Sequence, residues 1–191
     1  HATLRASVKS PSCFSLSFRA VVNVINTKGD RAKIATATGH AFLPRRHIQL
    51  LADVKKKPSA ENELVDIDWV GFAERLINAP YKWGGRTAWG LDCSALVQLS
   101  LAATGLDVPR DSGPQHEIGA HLDIESCLSK SNLRRGDLVF WQGHVGIMQD
   151  HHRLLHANAY HMAVVSEPLE DAVTRIFPIA GPITALRRPL F

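Results

Sequence analysis

The chain has 191 residues, of which 45% are hydrophobic and 21% are charged, a composition typical of a globular protein. The formal net charge is only +4 and the longest basic run is three lysines at 55–57, so binding to nucleic acid is disfavoured. No apolar stretch is long enough to span a membrane. The three cysteines lack Cys-x-x-Cys spacing, which argues against a disulfide framework and a cysteine-rich zinc site and fits a reducing compartment.

The first 50 residues are predicted to form short β-strands. The partly alternating segments lie between turn-forming residues and span residues 4–8, 19–25, 31–36 and 40–44. Short strands that close within about 50 residues predict a small β-barrel over residues 1–50. Residues 51–65 are charged and contain a proline, which is typical of a linker and predicts a domain boundary before residue 66.

Residues 66–191 carry helical patterns first and strand patterns afterwards. Helices are predicted over residues 68–79, capped by Asp66 or Asp68 and stopped by Pro80, and over residues 94–105. The later segments are a short helix at 115–121, an antiparallel meander at 138–141, 144–148 and 153–157, a short helix at 170–176 and a strand at 183–188. Helices followed by an antiparallel sheet predict an α+β domain.

Cys93 lies where a loop rich in glycine and aromatic residues meets the helix at 94–105. Unpaired N–H groups and the helix dipole favour a thiolate at that position. A thiolate is the nucleophilic form of cysteine, so Cys93 is the candidate nucleophile. The alternative is a buried cysteine with no chemical role.

Two histidines in the predicted meander are candidates for the partners of a nucleophilic thiol. Counting from the turn at residues 150–151 puts His144 opposite residue 156 or 157, so His144 and His156 are expected to be neighbours. His144 would be the general base and His156 would orient its ring, provided that their face packs against the start of the Cys93 helix. Asn158 is an alternative orienting group on the same strand face. The other histidines are predicted to be structural or surface residues: His1, His40, His47, His116, His121, His151, His152 and His161.

Five short motifs occur in a fixed order: Tyr-x-Trp-Gly-Gly at 81–85, Asp-Cys-Ser at 92–94, Gly-Asp-Leu-Val-Phe-Trp at 136–141, His-Val-Gly-Ile at 144–147 and Leu-His-Ala at 155–157. Over about residues 66–176 the chain resembles the NlpC/P60 family of cell-wall cysteine peptidases. The resemblance implies a papain-like α+β core with Cys93 as nucleophile, His144 as base, His156 as the third polar residue and no metal or cofactor. It also implies hydrolysis of the amide bond between γ-D-glutamate and a diamino acid in peptidoglycan stem peptides.

The same resemblance implies roles for four further residues. Tyr81 would assist the oxyanion or the substrate, although it could equally be a core tyrosine. Asp92, Ser94 and Ser112 match residues that hold the α-amine of the N-terminal L-Ala in members that cleave free stem peptides. The alternatives are helix capping by Asp92 and Ser94 and a turn at Ser112. The family often has glycine after Asp-Cys-Ser, and Ala95 stands here.

The N-terminal segment resembles a bacterial SH3-like (SH3b) domain. With it, the resemblance implies a peptidase that releases L-Ala-γ-D-Glu from free stem peptides, as in cell-wall recycling. The chain starts at His1 with neither an initiator methionine nor a signal peptide, so we expect a truncated start and a cytoplasmic enzyme. The alternatives are an endopeptidase acting on intact peptidoglycan, an inactive peptide-binding module, and a Cys/His metal site, which a single cysteine at the site disfavours.

Overall fold

The computed structural model describes residues 2–5, 12–54, 68–87, 89–129 and 131–190. The chain divides into two compact units, His1–Asn62 and Glu63–Phe191. Most of the predicted linker, residues 55–65, and the predicted boundary at residue 66 lie outside the described residues. The division into residues 1–50, 51–65 and 66–191 therefore stays a prediction.

The N-terminal unit contains an antiparallel sheet of five strands: β1 (Ala2–Arg5), β2 (Ser12–Leu16), β3 (Val24–Lys28), β4 (Arg31–Thr36) and β5 (Gly39–Pro44). The strand order is β2-β1-β5-β4-β3. Alternate side chains of these strands form a small core of Leu4, Ala32, Ile34, Ala41 and Leu43. A 3-10 helix (Arg45–His47) and one helical turn, α1 (Leu51–Val54), follow the sheet.

The predicted small barrel is not what the described residues form. β2 and β3 lie at opposite edges of the sheet, and no pairing between them is present in the described part of this unit, so the sheet is open. β2 was not expected, and β3 begins later than the strand predicted at 19–25. Residues 6–8 of the first predicted strand lie outside the described residues. The SH3b assignment stays a prediction.

The second unit opens with helix α2 (Trp69–Glu74), whose first turn is capped by Asp68. The Asp68 carboxylate accepts a hydrogen bond from the backbone N–H of Gly71 at 2.9 Å. The helix is shorter than predicted: after Glu74 the backbone continues in tighter turns with bonds three residues apart, and Asn78 has a positive φ of 68°. The N–H of Asn78 then donates to the carbonyl of Val164 at 2.9 Å instead of continuing the helix.

The remaining helices of this unit are α3 (Cys93–Ala102), α4 (Ser112–Gln115), α5 (Ile124–Ser129) and α6 (Leu169–Ala180). Its main sheet has six strands: β8 (Ala120–Leu122), β9 (Leu138–Trp141), β10 (His144–Met148), β11 (Arg153–Asn158), β12 (Ala163–Pro168) and β13 (Ala185–Arg188). A two-stranded ladder, β6 (Arg86–Thr87) and β7 (Gly90–Leu91), precedes α3. The main sheet is antiparallel, in the order β12-β11-β10-β9-β13-β8.

This arrangement confirms the predicted α+β class and the meander of β9, β10 and β11. Two local predictions differ from the structure, and one strand was missed. The helix predicted at 115–121 is the short α4 followed by β8, α6 is longer than the helix predicted at 170–176, and β12 was not expected. No helix among the described residues combines the length and the hydropathy needed to cross a membrane.

Helices α3 and α6 pack on opposite faces of the main sheet. Leu138, Phe140, Val145 and Ile147 point toward α3, and all of α3 except Gln98 is buried. The alternate residues Val139, Trp141, Met148 and Leu154 lie in a second cluster together with residues of α6. The sheet is therefore the middle layer, and both of its faces are covered.

Candidate active site

The loop before Cys93 is held by close backbone contacts. The Leu91 N–H donates to the Pro80 carbonyl at 3.1 Å, and the Asp92 N–H donates to the Gly85 carbonyl at 3.2 Å. A Cβ added at Gly85 would lie 2.5 Å from the carbonyl oxygen of Gly90, so only glycine fits there. These contacts fix the point at which α3 begins, and Cys93 is its first residue.

Burial decides the protonation of the Cys93 thiol. The side chain is almost entirely buried, and this burial raises the pKa of the Cys93 thiol, with the negative charge of Asp92 adding to the effect. Backbone N–H groups of Val145, Ser94 and Cys93 itself act in the opposite direction but do not outweigh burial. Burial thus opposes the thiolate that the helix N-terminus favours.

Cys93 and Val145 lie in the same buried cluster, and the backbone N–H of Val145 is close enough to lower the pKa of the Cys93 thiol. Val145 directly follows His144 at the start of β10, so the thiol lies beside the peptide that joins these two residues. The structure thus brings the candidate nucleophile to the end of the strand that carries the candidate base.

The two histidines are neighbours, but not in the register that was counted from the turn. The β10–β11 register pairs Ile147 with Leu155 and Met148 with Leu154, which by extension puts Gly146 opposite His156. His144 and His156 are diagonal neighbours on one face. Their ring nitrogens Nε2 and Nδ1, respectively, lie 2.8 Å apart.

That face carries the second hydrophobic cluster and packs against α6, because residues 144 and 156 alternate with the residues that contact α3. The expected packing of the histidine face against the start of the Cys93 helix stays a prediction. Val145, which follows His144 on β10, lies in the same buried cluster as Cys93.

Burial also sets the protonation of the base. Burial, together with the neighbouring His156 and Arg175, lowers the pKa of His144 to about 3. Burial likewise lowers the pKa of the fully buried His156. Both rings are neutral near neutral pH, which is the form a general base needs.

Of the two residues considered for orienting His144, only His156 has a recorded hydrogen bond to it among the described residues. The Asn158 side chain lies against His156 instead, with Nδ2 and Nε2 3.0 Å apart. The Asn158 oxygen accepts from the backbone N–H of His161 at 2.8 Å. Asn158 thus stabilises the turn after β11 and contacts Nε2 of His156, the ring nitrogen that does not contact His144.

Glu167 contacts the other side of the histidine pair, and the sequence reasoning missed it. Its Oε1 lies 2.6 Å from Nε2 of His156, and it forms an ion pair with Arg175 of α6. Arg175 also lies over the ring of Tyr160, 4.6 Å from its centroid. Glu167 belongs to β12, the strand that was not predicted, so the sequence offered no element on which to place it.

Tyr81 lies close enough to the nucleophile for their charges to interact. Partial burial raises the pKa of the Tyr81 hydroxyl, and the charges of Cys93 and Asp92 raise it further. The phenol is therefore protonated at neutral pH and able to donate a hydrogen bond. Its backbone N–H donates to the Met162 carbonyl at 2.9 Å, which anchors the loop.

The carboxylate of Asp92 accepts several hydrogen bonds from within the protein. It caps α3 through the Ala95 N–H at 2.9 Å and accepts from the Gly84 N–H at 2.8 Å. Both of its oxygens also accept from Arg110, at 2.9 and 2.7 Å. Although burial opposes it, the hydrogen bonds from Arg110 and the backbone hold the pKa of Asp92 below its ordinary value. The capping alternative is therefore present in the structure, and Arg110 is a second residue that sequence reasoning missed.

Ser94 belongs to this network, and a contact with Gln115 links it to the short helix that begins at Ser112. Ser94 Oγ accepts from Arg110 at 2.9 Å and lies 3.3 Å from Asp92. The buried Gln115 donates to the Ser94 carbonyl at 3.0 Å and ties α4, which begins at Ser112, to the start of α3. The amine-binding roles of Asp92, Ser94 and Ser112 stay predictions.

One group of side chains that could hold a metal ion occurs in the described ranges. Asp150, His151 and His152 lie within 4.8 Å of one another at the turn between β10 and β11, and His151 and His152 are exposed. Neither Cys93 nor His144 belongs to this cluster.

A buried cysteine at a helix N-terminus, near a strand whose histidine pairs with a histidine of the neighbouring strand, is typical of a cysteine peptidase on an α+β scaffold. Residues 78–177, more than half of the chain, match the family model described as NlpC/P60 family. The chain belongs to the NlpC/P60 family.

Several curated proteins are similar to the chain. A gamma-D-glutamyl-L-lysine dipeptidyl-peptidase of Bacillus cereus is 29% identical over 115 residues, which is 60% of this chain and 32% of that protein. A probable endopeptidase NlpC homolog of Haemophilus influenzae is 32% identical over 64% of this chain and 58% of its own length. The murein DD-endopeptidase MepS/murein LD-carboxypeptidase of Escherichia coli is 35% identical over 52% of this chain and 49% of its own length. The chain thus spans less than two thirds of each of these relatives.

Among solved structures, an NlpC/P60 family protein from Bacillus cereus superposes with a TM-score of 0.70 at 22% identity. The match covers all of this chain and 61% of that one. At this identity the likeness supports the fold alone.

Proposed function

We propose that the chain is a cysteine peptidase that cleaves peptidoglycan stem peptides between γ-D-glutamate and the diamino acid. Peptides with a free N-terminal L-Ala would release L-Ala-γ-D-Glu, as in cell-wall recycling. The observation that carries this proposal is that Cys93 lies in one buried cluster with Val145, the residue that follows His144 on β10, while Nε2 of His144 lies 2.8 Å from Nδ1 of His156. The relatives named gamma-D-glutamyl-L-lysine dipeptidyl-peptidase support the substrate class.

In the proposed mechanism, the neutral ring of His144 takes the proton of Cys93 as the sulfur attacks the scissile carbonyl carbon. The S–H electron pair forms the new S–C bond, and the carbonyl π pair moves onto oxygen. The protonated Tyr81 hydroxyl would donate to that oxyanion. The proton then passes from His144 to the leaving amine, and water hydrolyses the thioester with His144 again acting as the base.

A second candidate function is an endopeptidase on intact peptidoglycan, in which the stem peptide has no free amine. The network around Asp92 favours it, because Arg110 and two backbone N–H groups already occupy the carboxylate that would hold a substrate ammonium group. Relatives named as endopeptidases point in the same direction.

Hydrolysis of L-Ala-γ-D-Glu-L-Lys, of its N-acetylated form and of purified peptidoglycan would separate these candidates. Dipeptide release from the free peptide alone supports the amine-binding roles of Asp92, Ser94 and Ser112. Equal cleavage of both peptides, or cleavage of peptidoglycan, removes those roles and supports the endopeptidase. Cys93→Ala should abolish all cleavage, whereas Cys127→Ala, the matched change at a buried cysteine in α5, should retain it. Activity that survives in Cys93→Ala, or no cleavage of any substrate by the wild type, contradicts the proposal.

A further inference from the structure

His144, His156 and Glu167 form a row of side chains across three adjacent strands. The β11–β12 register pairs Leu154 with Glu167 and His156 with Val165, so Glu167 is the diagonal neighbour of His156 on the face that also carries His144. The contacts along the row are 2.8 Å between the two rings and 2.6 Å from His156 to the carboxylate.

Glu167 is held in place as an anion. The guanidinium of Arg175 pairs with the same oxygen that contacts His156, and its position over the Tyr160 ring fixes that guanidinium. Although burial opposes it, the contacts with His156 and Arg175 hold the pKa of Glu167 below its ordinary value. An ionised carboxylate only accepts hydrogen bonds, so the proton of the contact must belong to Nε2 of His156.

The position of the proton on His156 also determines the position of the proton on His144, because a neutral imidazole has one N–H and one acceptor nitrogen. With its proton on Nε2, His156 has an acceptor at Nδ1, and Nε2 of His144 must be the donor across the 2.8 Å contact. The acceptor of His144 is then Nδ1, the nitrogen left free to take the thiol proton. Asn158 Nδ2, 3.0 Å from Nε2 of His156, is also a donor and cannot accept that proton.

We propose that Glu167, held by Arg175, is a positioning residue that sets the tautomer of His156 and, through it, leaves Nδ1 of His144 free to deprotonate Cys93. The consequence for the reaction rests on the proposed function. When the thiol proton reaches His144, the positive charge formed on that ring is compensated through His156 by the carboxylate. Glu167 touches neither the substrate nor the thiol and acts only through the histidines.

The titratable and charged groups that face His156 come from every element around it. They are His144 on β10, Glu167 on β12, Arg175 on α6 and His161 in the turn after β11. Among these groups Glu167 is the anion, so its removal leaves His156 facing Arg175 without compensation.

Two-bond ¹H–¹⁵N NMR of the imidazole nitrogens tests the proposal directly, with resonances assigned by comparison with His144→Gln and His156→Gln. In the wild type we expect both rings to carry the proton on Nε2. In Glu167→Gln the amide offers an N–H as well as an oxygen, so part of the His156 population should move its proton to Nδ1. Glu170→Gln, the same change at an exposed position on α6, should leave both tautomers unchanged.

Kinetics provide the second measurement. Glu167→Gln should lower kcat by about 10- to 100-fold, less than the roughly 10⁴-fold loss when the group that directly holds a triad histidine is altered. KM should change by less than about threefold, because Glu167 does not contact the substrate. Glu167→Asp keeps the anion and should recover part of kcat, whereas Glu170→Gln should match the wild type.

The proposal is overturned if wild-type His156 carries its proton on Nδ1, or if Glu167→Gln changes neither the tautomers nor kcat. The wild-type spectrum decides the tautomer even if Glu167→Gln fails to fold. Failure of the proposed function is a different result: no peptide would be cleaved, while the NMR measurement would still confirm or refute the tautomer assignment.

Discussion

The thiol and the imidazole of the candidate site are both shifted toward their neutral forms. Burial raises the pKa of Cys93 and lowers the pKa of His144 to about 3. A thiolate–imidazolium pair would need the reverse order of these two pKa values. In the resting enzyme we therefore expect S–H beside a neutral ring, with proton transfer coupled to the attack on the substrate.

The rate at which iodoacetamide alkylates Cys93 should depend on the fraction of the thiol that is ionised. Because only the thiolate reacts, the rate at Cys93 should be low at pH 7 and rise with pH, with a midpoint above the ordinary thiol value of about 8.5. Peptide-resolved mass spectrometry separates Cys93 from Cys13 and Cys127, and glutathione provides the reference thiol. A fast rate that is constant between about pH 5 and 8 would indicate a resting thiolate–imidazolium pair instead.

At the scale of elements, the entry into α3 concentrates several stabilising contacts on one carboxylate. Asp92 caps the helix, closes the loop at Gly84 and pairs with Arg110, and its side chain is only 9% exposed. Asp68 caps α2 in the same way through Gly71 and pairs with Arg135, but its side chain is 57% exposed. The two capping side chains differ in burial, and burial determines how much the free energy of unfolding falls when each is removed.

Asp92→Ala should lower the free energy of unfolding by about 2 to 4 kcal/mol, because it removes a cap and leaves Arg110 without its partner. Asp68→Ala should cost about 0.5 to 1 kcal/mol, since water replaces much of what is lost there. Urea unfolding followed by tryptophan fluorescence measures both in the second unit, because all four tryptophans, at 69, 83, 89 and 141, belong to it. A loss at Asp92 no larger than that at Asp68 would argue against this account.

For the whole molecule, the buried histidines link stability to pH. His144 is neutral in the folded state down to pH about 3, whereas an unfolded histidine takes up a proton below about pH 6.5. Between these values the unfolded state binds more protons, so the free energy of unfolding falls as pH falls. The lowered pKa of His156 acts in the same direction.

The second unit should therefore lose stability between pH 7 and pH 4, by at most about 1.4 kcal/mol per pH unit for each such histidine. His144→Gln should make the decrease shallower, whereas His151→Gln, at an exposed turn residue, should leave it unchanged. Urea unfolding at pH 7, 5.5 and 4.5 with tryptophan fluorescence measures these slopes. An identical pH dependence in the wild type and His144→Gln would contradict the link.

Much of the second unit could be predicted because its signals are local. The apolar run after Cys93 predicted α3, and short connections predicted the antiparallel meander of β9, β10 and β11. β12 was missed because only pairing with β11 makes that segment a strand. In the N-terminal unit, turn residues indicated strands, but local patterns contain no information on which strands pair, and the expected closed barrel was not found among the described residues.

The sequence by itself determined the family, the α+β class and the candidate residues Cys93, His144 and His156, because motif order and residue type are properties of the chain. Tertiary structure alone decided the direction in which the pKa values of Cys93 and His144 are shifted, since burial depends on every layer packed around them. It also decided the contacts of Glu167 and Arg110, because their partners lie on other segments of the chain. Long-range packing brings such groups together, and local sequence patterns do not predict which distant segments will pack.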